Sequence, residues 1–413
     1  MKKLDFFTRY ATAIVLALMV LGLVSCSSDQ NTTSNKETEI AELLQRGEAI
    51  QLGKEWDEVQ NSFNDFKNAI TKNPNNNKAK IQLAQLYIRE ARVTGEHGHY
   101  YPGALSILDD ALNNKELTPD YRFLALTTKA GVQLSLHDFS DALKTGNEAA
   151  LLNPSNAQIH GVLVDANVEL GNYDKAVKLV DKMLTIKPDI RSYSRASYLR
   201  EIHGDVEGSI EAMTMAVKAG YPGYEETAWA MLTLGDVYQR YGYLDKAEQV
   251  YKEIFDMRPN YPFAVGAIGD IQAKKGMDKE AEVTYKEAMN IIPEVGFYVS
   301  LAGLYKKQGR TEEMQNLLNE IMIMIKEDTD SGHNMNLEYA DIYLNILENP
   351  EKAMEYAQLE YEKRPKNIDV NRMIAKLNVA KNDMEAAKRY LDVAQKTSSK
   401  HPEIKEIKSA INS

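Results

Sequence analysis

The amino-acid sequence repeats itself at a regular interval. The shift that carries Gly235 onto Gly269 also carries Gly242, Ala247, Tyr251 and Pro259 onto Gly276, Ala281, Tyr285 and Pro293. A period of roughly 34 residues is typical of repeat architectures, in which each unit is too small to bury its own apolar face. The period therefore predicts a stack of similar units with a core that runs through all of them.

The residues within one period suit a pair of packed helices. Gly235 and Ala247 are small, which allows two helices to approach closely, and Gly242 between them can adopt a positive φ. Pro259 cannot continue the second helix. From residue 40 onward no segment alternates with period two, and helix-forming runs follow one another with short breaks. The sequence predicts an all-α fold.

This pattern resembles the tetratricopeptide repeat, a helix-turn-helix unit of about 34 residues. The inter-helix turn of that family is matched by LGNYDKA (170–176) and YGYLDKA (241–247). The resemblance implies a right-handed α-solenoid of about ten repeats, with the first helix of each repeat lining a concave groove. We expect the solenoid over residues 41–413, with ten units between about 43 and 401 and a capping helix near 402–412.

A longer period overlies the first. Ala130, Gly235 and Ala340 are equally spaced, because every third junction between units gains four residues. Four residues make about one helical turn, so each long junction is expected to lengthen the outer helix or to open a loop. We interpret the pattern as duplication of a three-unit block with slight kinks after units 2, 5 and 8. Independent loop insertions are the alternative.

The N-terminus has the layout of a secretory signal. A basic start precedes an apolar stretch over residues 11–23, which is shorter than the ~20 residues needed to span a bilayer. The LVSC segment ending at Cys26 resembles the bacterial lipobox, and Cys26 is the only cysteine. The resemblance implies a signal peptide over 1–25, a lipid on Cys26 and a flexible tether over 26–40. An idle thiol beside an ordinary cleavage site is the alternative.

The amino-acid composition argues against several classes of function. One cysteine excludes a disulfide framework and a cysteine-based metal cluster. A formal net charge of -11 and a pI near 5.3 argue against a nucleic-acid partner. The chain contains no GxSxG, Walker A or GxGxxG motif in a suitable context, so we expect neither an enzyme nor a cofactor.

One short segment, GEHGHYY (95–101), contains candidate metal ligands. Glu96, His97 and His99 offer one carboxylate and two imidazoles, but neither an HExxH nor a CxxC spacing accompanies them. We interpret the segment as a solvated polar loop and expect no metal site.

By the same resemblance, the residue after the first small position of each unit faces the groove. In four units that residue is an aspartate: Asp165, Asp236, Asp270 and Asp341. Trp229 and Phe263 lie two helical turns before two of these aspartates and so share a similar helix face. Two adjacent aromatic and carboxylate pairs suit a basic segment with an apolar anchor. Alternatively, the aspartates satisfy neighbouring groups and the aromatic rings pack between helices.

The combined expectation is a protein-interaction scaffold, lipid-anchored in the bacterial cell envelope, that binds a peptide segment or partner helix in its groove. The outer membrane is favoured because Ser27 follows Cys26 with no aspartate before Asp29, as in lipoproteins sorted there. The alternative is a surface lipoprotein that captures a glycan or nutrient for an outer-membrane transporter. Such proteins carry aromatic insertions, for which only His97 to Tyr101 qualifies.

Overall fold

A computed structural model describes residues 39–412. The predicted signal peptide, Cys26, most of the predicted tether and Ser413 lie outside the described residues. Within the described part, all regular structure is helical, with twenty α-helices and one short 3-10 helix at Glu48–Ile50. The predicted all-α fold is confirmed. None of the helices between residues 39 and 412 combines the length and apolar character that a membrane span requires.

The α-helices in chain order are α1 (Gly53–Lys72), α2 (Asn77–Thr94), α3 (His97–Asn113), α4 (Pro119–Ser135), α5 (Phe139–Leu152), α6 (Ala157–Glu169), α7 (Tyr173–Ile186), α8 (Ile190–Ile202), α9 (Val206–Ala219), α10 (Glu225–Arg240), α11 (Leu244–Phe255), α12 (Pro262–Lys274), α13 (Asp278–Ile291), α14 (Val295–Lys307), α15 (Thr311–Asp330), α16 (Asn336–Asn345), α17 (Pro350–Lys363), α18 (Ile368–Ala380), α19 (Met384–Ala394) and α20 (Pro402–Ile411). Consecutive helices from α2 to α19 pack as nine pairs, and α20 contacts α18 and α19. The predicted α-solenoid of stacked helix pairs is confirmed.

The first predicted unit is incomplete. Residues 39–47 form no helix, so α1 lacks the partner that a helix pair beginning near residue 43 would provide. Instead this segment packs on α2 and α3. The Leu44 N–H donates to the Tyr100 hydroxyl at 3.0 Å, and the Arg46 guanidinium donates twice to Glu90 at 2.7 Å. Over residues 39–412, nine helix pairs with a single helix at each end replace the ten expected pairs.

Within a repeat, a glycine allows a tyrosine ring to cross the first helix. The Tyr251 ring of α11 lies so close to Gly235 that a Cβ atom there would stand only 2.7 Å from Tyr251 Cδ1. Tyr251 is fully buried, and its hydroxyl donates to Asp236 Oδ1 at 2.8 Å. The following repeat has the same arrangement at Gly269 and Tyr285. Glycine at this repeat position therefore leaves space for the tyrosine ring of the second helix and allows its hydroxyl to reach the neighbouring aspartate.

Tight turns join the two helices of each repeat. Gly242 has a φ of 84°, and the Tyr243 and Gly242 N–H groups donate to the carbonyls of Tyr238 and Gln239. This pattern is the Schellman motif, which satisfies the last carbonyls of a helix. His137 occupies the glycine position of its own repeat, with a φ of 58°. His137 is therefore the turn residue of that repeat.

At each of the three long junctions one helix is longer than its equivalents. At two of them it is the first helix of the next repeat, and only at the third is it the outer, second helix as expected. The first helices α4 and α10 have 17 and 16 residues, whereas the first helices α6, α8, α12 and α14 have 13. At the third junction the outer helix α15 reaches 20 residues, and a loop over 331–335 follows. The expectation of a longer outer helix is therefore wrong at two junctions. At the first of them, Thr118 caps α4 and Pro119 starts it early.

The solenoid coils back onto itself. Hydrogen bonds join Glu55 with Arg258, His137 with Asn334 and Tyr173 with Ile368, at separations of 203, 197 and 195 residues. These separations are close to six repeats of about 34 residues each, so about six repeats make one superhelical turn. The second turn lies directly on the first, and we name this contact the seam.

The seam has a regular construction. Turns within repeats of the first superhelical turn face junctions between repeats of the second: Gly95 faces Glu294, Gly171 faces Lys366, and Gly204 faces Ser398. A Cβ atom at Gly204 would overlap the Ser398 carbonyl oxygen. Glycine at this turn therefore serves both the positive φ of its own repeat and the close approach of the other superhelical turn.

We expect Gly235→Ala to lower the free energy of unfolding by about 1–3 kcal/mol, because the added methyl group overlaps the buried Tyr251 ring. Gly131→Ala is the matched control. A Cβ atom at Gly131, inside α4, meets no other group within 4 Å, so alanine is expected to raise stability by roughly 0.5–1 kcal/mol. Denaturant titration followed by circular dichroism measures both changes. If both substitutions changed the free energy of unfolding in the same direction, the close packing of Tyr251 on Gly235 would be contradicted.

Candidate binding groove

One face of the first helices encloses a cavity of about 1040 Å³. From α6 the lining residues are Gln158, Val162, Asp165 and Glu169, whose spacing of four, three and four places them on one helix face. Helices α2, α4 and α8 contribute equivalent faces, and residues from the second superhelical turn close one side. The volume lies just above the ~300–1,000 Å³ typical of ligand sites. The coiled solenoid therefore provides a deep groove that is partly open to solvent.

Charged side chains make up a large part of the lining. The cavity contains five arginines and seven carboxylates: Arg89, Arg92, Arg191, Arg195 and Arg364, with Asp165, Glu169, Glu225, Glu226, Glu338, Glu360 and Asp369. The Arg195 guanidinium forms a bidentate ion pair with the Asp165 carboxylate, at 2.8 and 2.6 Å. The Arg191 guanidinium donates to Glu226 at 2.7 Å. Such paired hydrogen bonds fix the orientation of both groups. The groove thus presents a fixed pattern of opposite charges with a slight acidic excess.

Arg364 connects the second superhelical turn to the cavity wall. Its guanidinium donates to Glu169 of α6 and to Glu360 of α17, and it stacks 4.7 Å from the Phe139 ring centroid. Burial raises the pKa of Glu169 to about 7, although the nearby Arg364 acts in the opposite direction. At neutral pH this carboxyl is therefore partly protonated.

An exposed aromatic cluster borders the cavity. Tyr224 lines the cavity with 69% of its surface exposed, and the Tyr221 ring, 78% exposed, lies 6.2 Å from it. Both belong to the long junction before α10, whose first turns also carry Trp229, 45% exposed. Exposed tyrosine and tryptophan side chains beside a cavity are typical of residues that dominate protein interfaces. The sequence interpretation missed Tyr221 and Tyr224, although the long junction was the available signal.

The predicted groove aspartates lie in different environments. Asp165 lines the cavity, whereas Asp236 and Asp270 do not. Asp236 accepts from Tyr251 and Asp270 accepts from Tyr285 at 2.7 Å, so each carboxylate serves a tyrosine of its own repeat. Burial raises the pKa of Asp236 to about 6 and also raises that of Asp270. The sequence signal for this bond was the equal spacing of aspartate and tyrosine in both repeats.

The remaining predicted groove residues do not form two equivalent pairs. Trp229 is exposed, whereas Phe263 is half-buried, with its ring centroid 6.1 Å from that of Phe297. Asp341 accepts from the Asn345 side-chain amide at 2.5 Å, and burial raises its pKa. The structure therefore does not bring the six residues together in one site.

The segment GEHGHYY (95–101) is not a solvated loop. His97 begins helix α3, and Tyr100 and Tyr101 are buried. The His99 ring lies 2.8 Å from the Glu42 carbonyl oxygen, while the His97 ring stacks on Tyr101. The interpretation as a polar loop is wrong, because the extra residues extend the helix pair α2 and α3.

Comparison with known proteins gives matches of two kinds. Residues 133–200 and 230–261 match tetratricopeptide repeat family models. The chain is similar to a chain of the APC/C hetero-tetramer Cut9-Hcn1, with 14% identity over 88% of this chain and 61% of that one and a TM-score of 0.45. The human IFIT1 dimer with PPP-AAAA is a second similar structure, with 11% identity over 84% of this chain and 86% of that one and a TM-score of 0.47.

A third similar structure is that of Pseudomonas aeruginosa PilF, with 16% identity over 57% of this chain and 99% of that one and a TM-score of 0.40. The chain spans less than two thirds of the Cut9-Hcn1 chain that it matches. Among curated proteins, none matches the chain.

We expect Asp236→Asn to stabilise the protein above pH 6. Burial raises the folded-state pKa from 3.8 to about 6, so between these values the folded form keeps a proton that the unfolded form loses. Stability therefore falls as pH rises through this window, and asparagine removes the loss while still accepting the Tyr251 bond. The expected gain at pH 8 is on the order of 1 kcal/mol, allowing for solvent screening, and it vanishes near pH 3.5.

The control for this prediction is Asp245→Asn, because the Asp245 side chain is 96% exposed. Urea denaturation between pH 3.5 and 8 gives the stability of both variants and of the wild type. If the free energy of unfolding depends on pH in the same way in the wild type and in Asp236→Asn, ionisation of Asp236 does not destabilise the protein as predicted.

Proposed function

This chain is a tetratricopeptide repeat protein, and we propose that it is a membrane-anchored scaffold of the bacterial cell envelope that binds a segment of a partner protein in its groove. The tetratricopeptide repeat fold supports protein–protein interaction in general. The groove of this chain supports a more specific proposal about the partner segment.

The observation that carries the proposal is the combination of exposed aromatic rings with acidic groups that form no ion pair in the described part of the chain. These groups are Glu225 and Glu338, and both line the cavity. Burial raises the pKa of both carboxyls. A lysine or arginine from a partner would stabilise their ionised forms, while Tyr224 and Trp229 would hold an apolar side chain. The partner segment is therefore basic with an apolar anchor.

Anchoring to a membrane is supported by the N-terminal sequence. Residues 1–25 have the layout of a lipoprotein signal, and LVSC places the single cysteine at the position that receives the lipid. Two or more acyl chains hold a protein stably on a bilayer, whereas one does not. The polar residues after Cys26 would then separate the solenoid from the membrane surface.

Capture of a glycan or nutrient is not supported. That alternative requires exposed aromatic side chains in the insertion at 95–101, but Tyr100 is 0% and Tyr101 is 4% exposed. These two rings belong to the core of the helix pair α2 and α3. We therefore do not propose this function.

The groove is tested by photo-crosslinking in cells with a benzophenone amino acid at Tyr224. Val283 on α13, which is 67% exposed, gives the matched control position. We expect a specific crosslinked protein from position 224 and none from position 283. Substituting both Glu225→Gln and Glu338→Gln should reduce the yield about tenfold at unchanged melting temperature, and raised salt should also weaken binding. The same product from both positions would contradict a groove partner.

The anchor is tested by Cys26→Ser, with Ser28→Ala as the neighbouring control. We expect the cysteine variant to leave the membrane fraction, because the residues of the tether offer little apolar area to hold it there. Ser28→Ala should remain with the membranes. Fractionation after carbonate washing measures both, and a Cys26→Ser protein still found in the pellet would rule out lipid anchoring through this residue.

A further inference from the structure

His333 lies in the seam, in the loop between α15 and α16. Both of its ring nitrogens are buried, and neither has a hydrogen-bond partner within the described part of the chain. A neutral imidazole carries one donor and one acceptor, and burying both without partners is costly. The position therefore points to a ligand for this ring.

Two further side chains with metal-ligating atoms face His333. One ring nitrogen of His97, one carboxylate oxygen of Asp328 and one ring nitrogen of His333 all lie within 4.8 Å of one another. His97 begins α3 in the first superhelical turn, whereas Asp328 lies in the last turn of α15 in the second. His97 is thus remote from the other two groups in sequence, and the seam brings all three together.

The electrostatic surroundings favour a cation at this point. Burial and three neighbouring carboxylates raise the pKa of Asp328 to about 6; these neighbours are Glu327, Glu338 and Glu96. A divalent cation would offset the mutual repulsion of these four carboxylates.

A fourth side chain supports the site from outside. The His137 ring centroid is 4.6 Å from that of His333, and its Nδ1 atom lies 3.0 Å from the Asn334 carbonyl oxygen. This contact holds His137 against the His333 ring. His137 therefore acts as a positioning residue, and the three ligands remain His97, Asp328 and His333.

We propose that His97, His333 and Asp328 bind one divalent transition-metal ion, with Zn²⁺ as the best fit, and that this ion fastens the two superhelical turns together. Two imidazoles and one carboxylate form a ligand set that Zn²⁺ accepts, with water in the fourth position. Ligand atoms about 2.0–2.1 Å from Zn²⁺ lie roughly 3.3 Å apart, so these side chains need to close by no more than about 1.5 Å.

The site adjoins the binding groove. His137, Asn334 and Glu338 line the cavity, and all three are neighbours of the proposed metal ligands. Binding of the ion would therefore fix the wall where the second superhelical turn closes the groove. This inference does not depend on the identity of any protein partner.

The test uses the full chain, purified and treated with a chelator, and titrates it with Co²⁺ as a spectroscopic probe. We expect one equivalent to produce visible ligand-field absorption, Zn²⁺ to displace it, and either ion to raise the melting temperature. His97→Gln and His333→Gln should each abolish the absorption, and Asp328→Asn should weaken binding about tenfold. His99→Gln, in the same helix as His97 but directed at Glu42, should bind like the wild type.

Circular dichroism and the melting temperature of the metal-free protein show whether each variant is folded. If His333→Gln does not fold, His97→Gln decides the ligand set. Amide hydrogen exchange supplies a second readout, because Zn²⁺ should slow exchange on both sides of the seam, at 95–100 and 328–335, in the wild type alone. A wild type that binds no Co²⁺, or equal binding by His97→Gln, would overturn the proposal.

Discussion

Arg258 pairs with Glu55 across the seam, and this contact represents the constraint on which the architecture depends. Glu55 also accepts from Arg46, whose buried guanidinium is held by the buried Glu90. Charges buried in this way are tolerated only when each has partners of good geometry. The cluster therefore fixes the non-helical N-terminal segment and the junction before α12 in one arrangement.

The seam changes how stability is distributed. In an open solenoid each repeat contacts only its neighbours, so the loss of one repeat is felt locally. Here an apolar cluster at the seam combines Ile50 and Val93 of the first superhelical turn with Val265, Ile292 and Phe297 of the second. Removing either turn would expose this cluster to water. The end repeats are consequently stabilised by closure as well as by stacking.

Closure also shapes the groove. A partner segment in the cavity would meet α6 and α8 on one side and the segment around Asn334 and Arg364 on the other. Because it contacts both superhelical turns, binding would stabilise the seam by mass action. The groove meanwhile contains carboxyl groups whose ionisation opposes folding at neutral pH, with Glu169 as the clearest case. Such a cost is common where a surface is kept for binding rather than for stability.

The sequence by itself determined the features that arise within one repeat. The repeat period, the small positions at Gly235 and Ala247 and the positive φ at Gly242 and His137 depend on contacts within a helix pair, so a local pattern specifies them. The Tyr251 bond to Asp236 is equally local and was predictable from its spacing, although the sequence interpretation placed Asp236 in the groove instead.

Only the tertiary structure decided the seam, the enclosure of the groove and the meeting of His97 with His333. These features depend on how the small rotation between successive repeats accumulates over about six repeats, and no single repeat encodes that sum. The missing first helix has the same origin, because residues 39–47 gain more by packing on α2 and α3 than by pairing with α1. Contacts within a helix pair determine the structure of each repeat. The rotation accumulated over about six repeats determines which residues far apart in the sequence become neighbours.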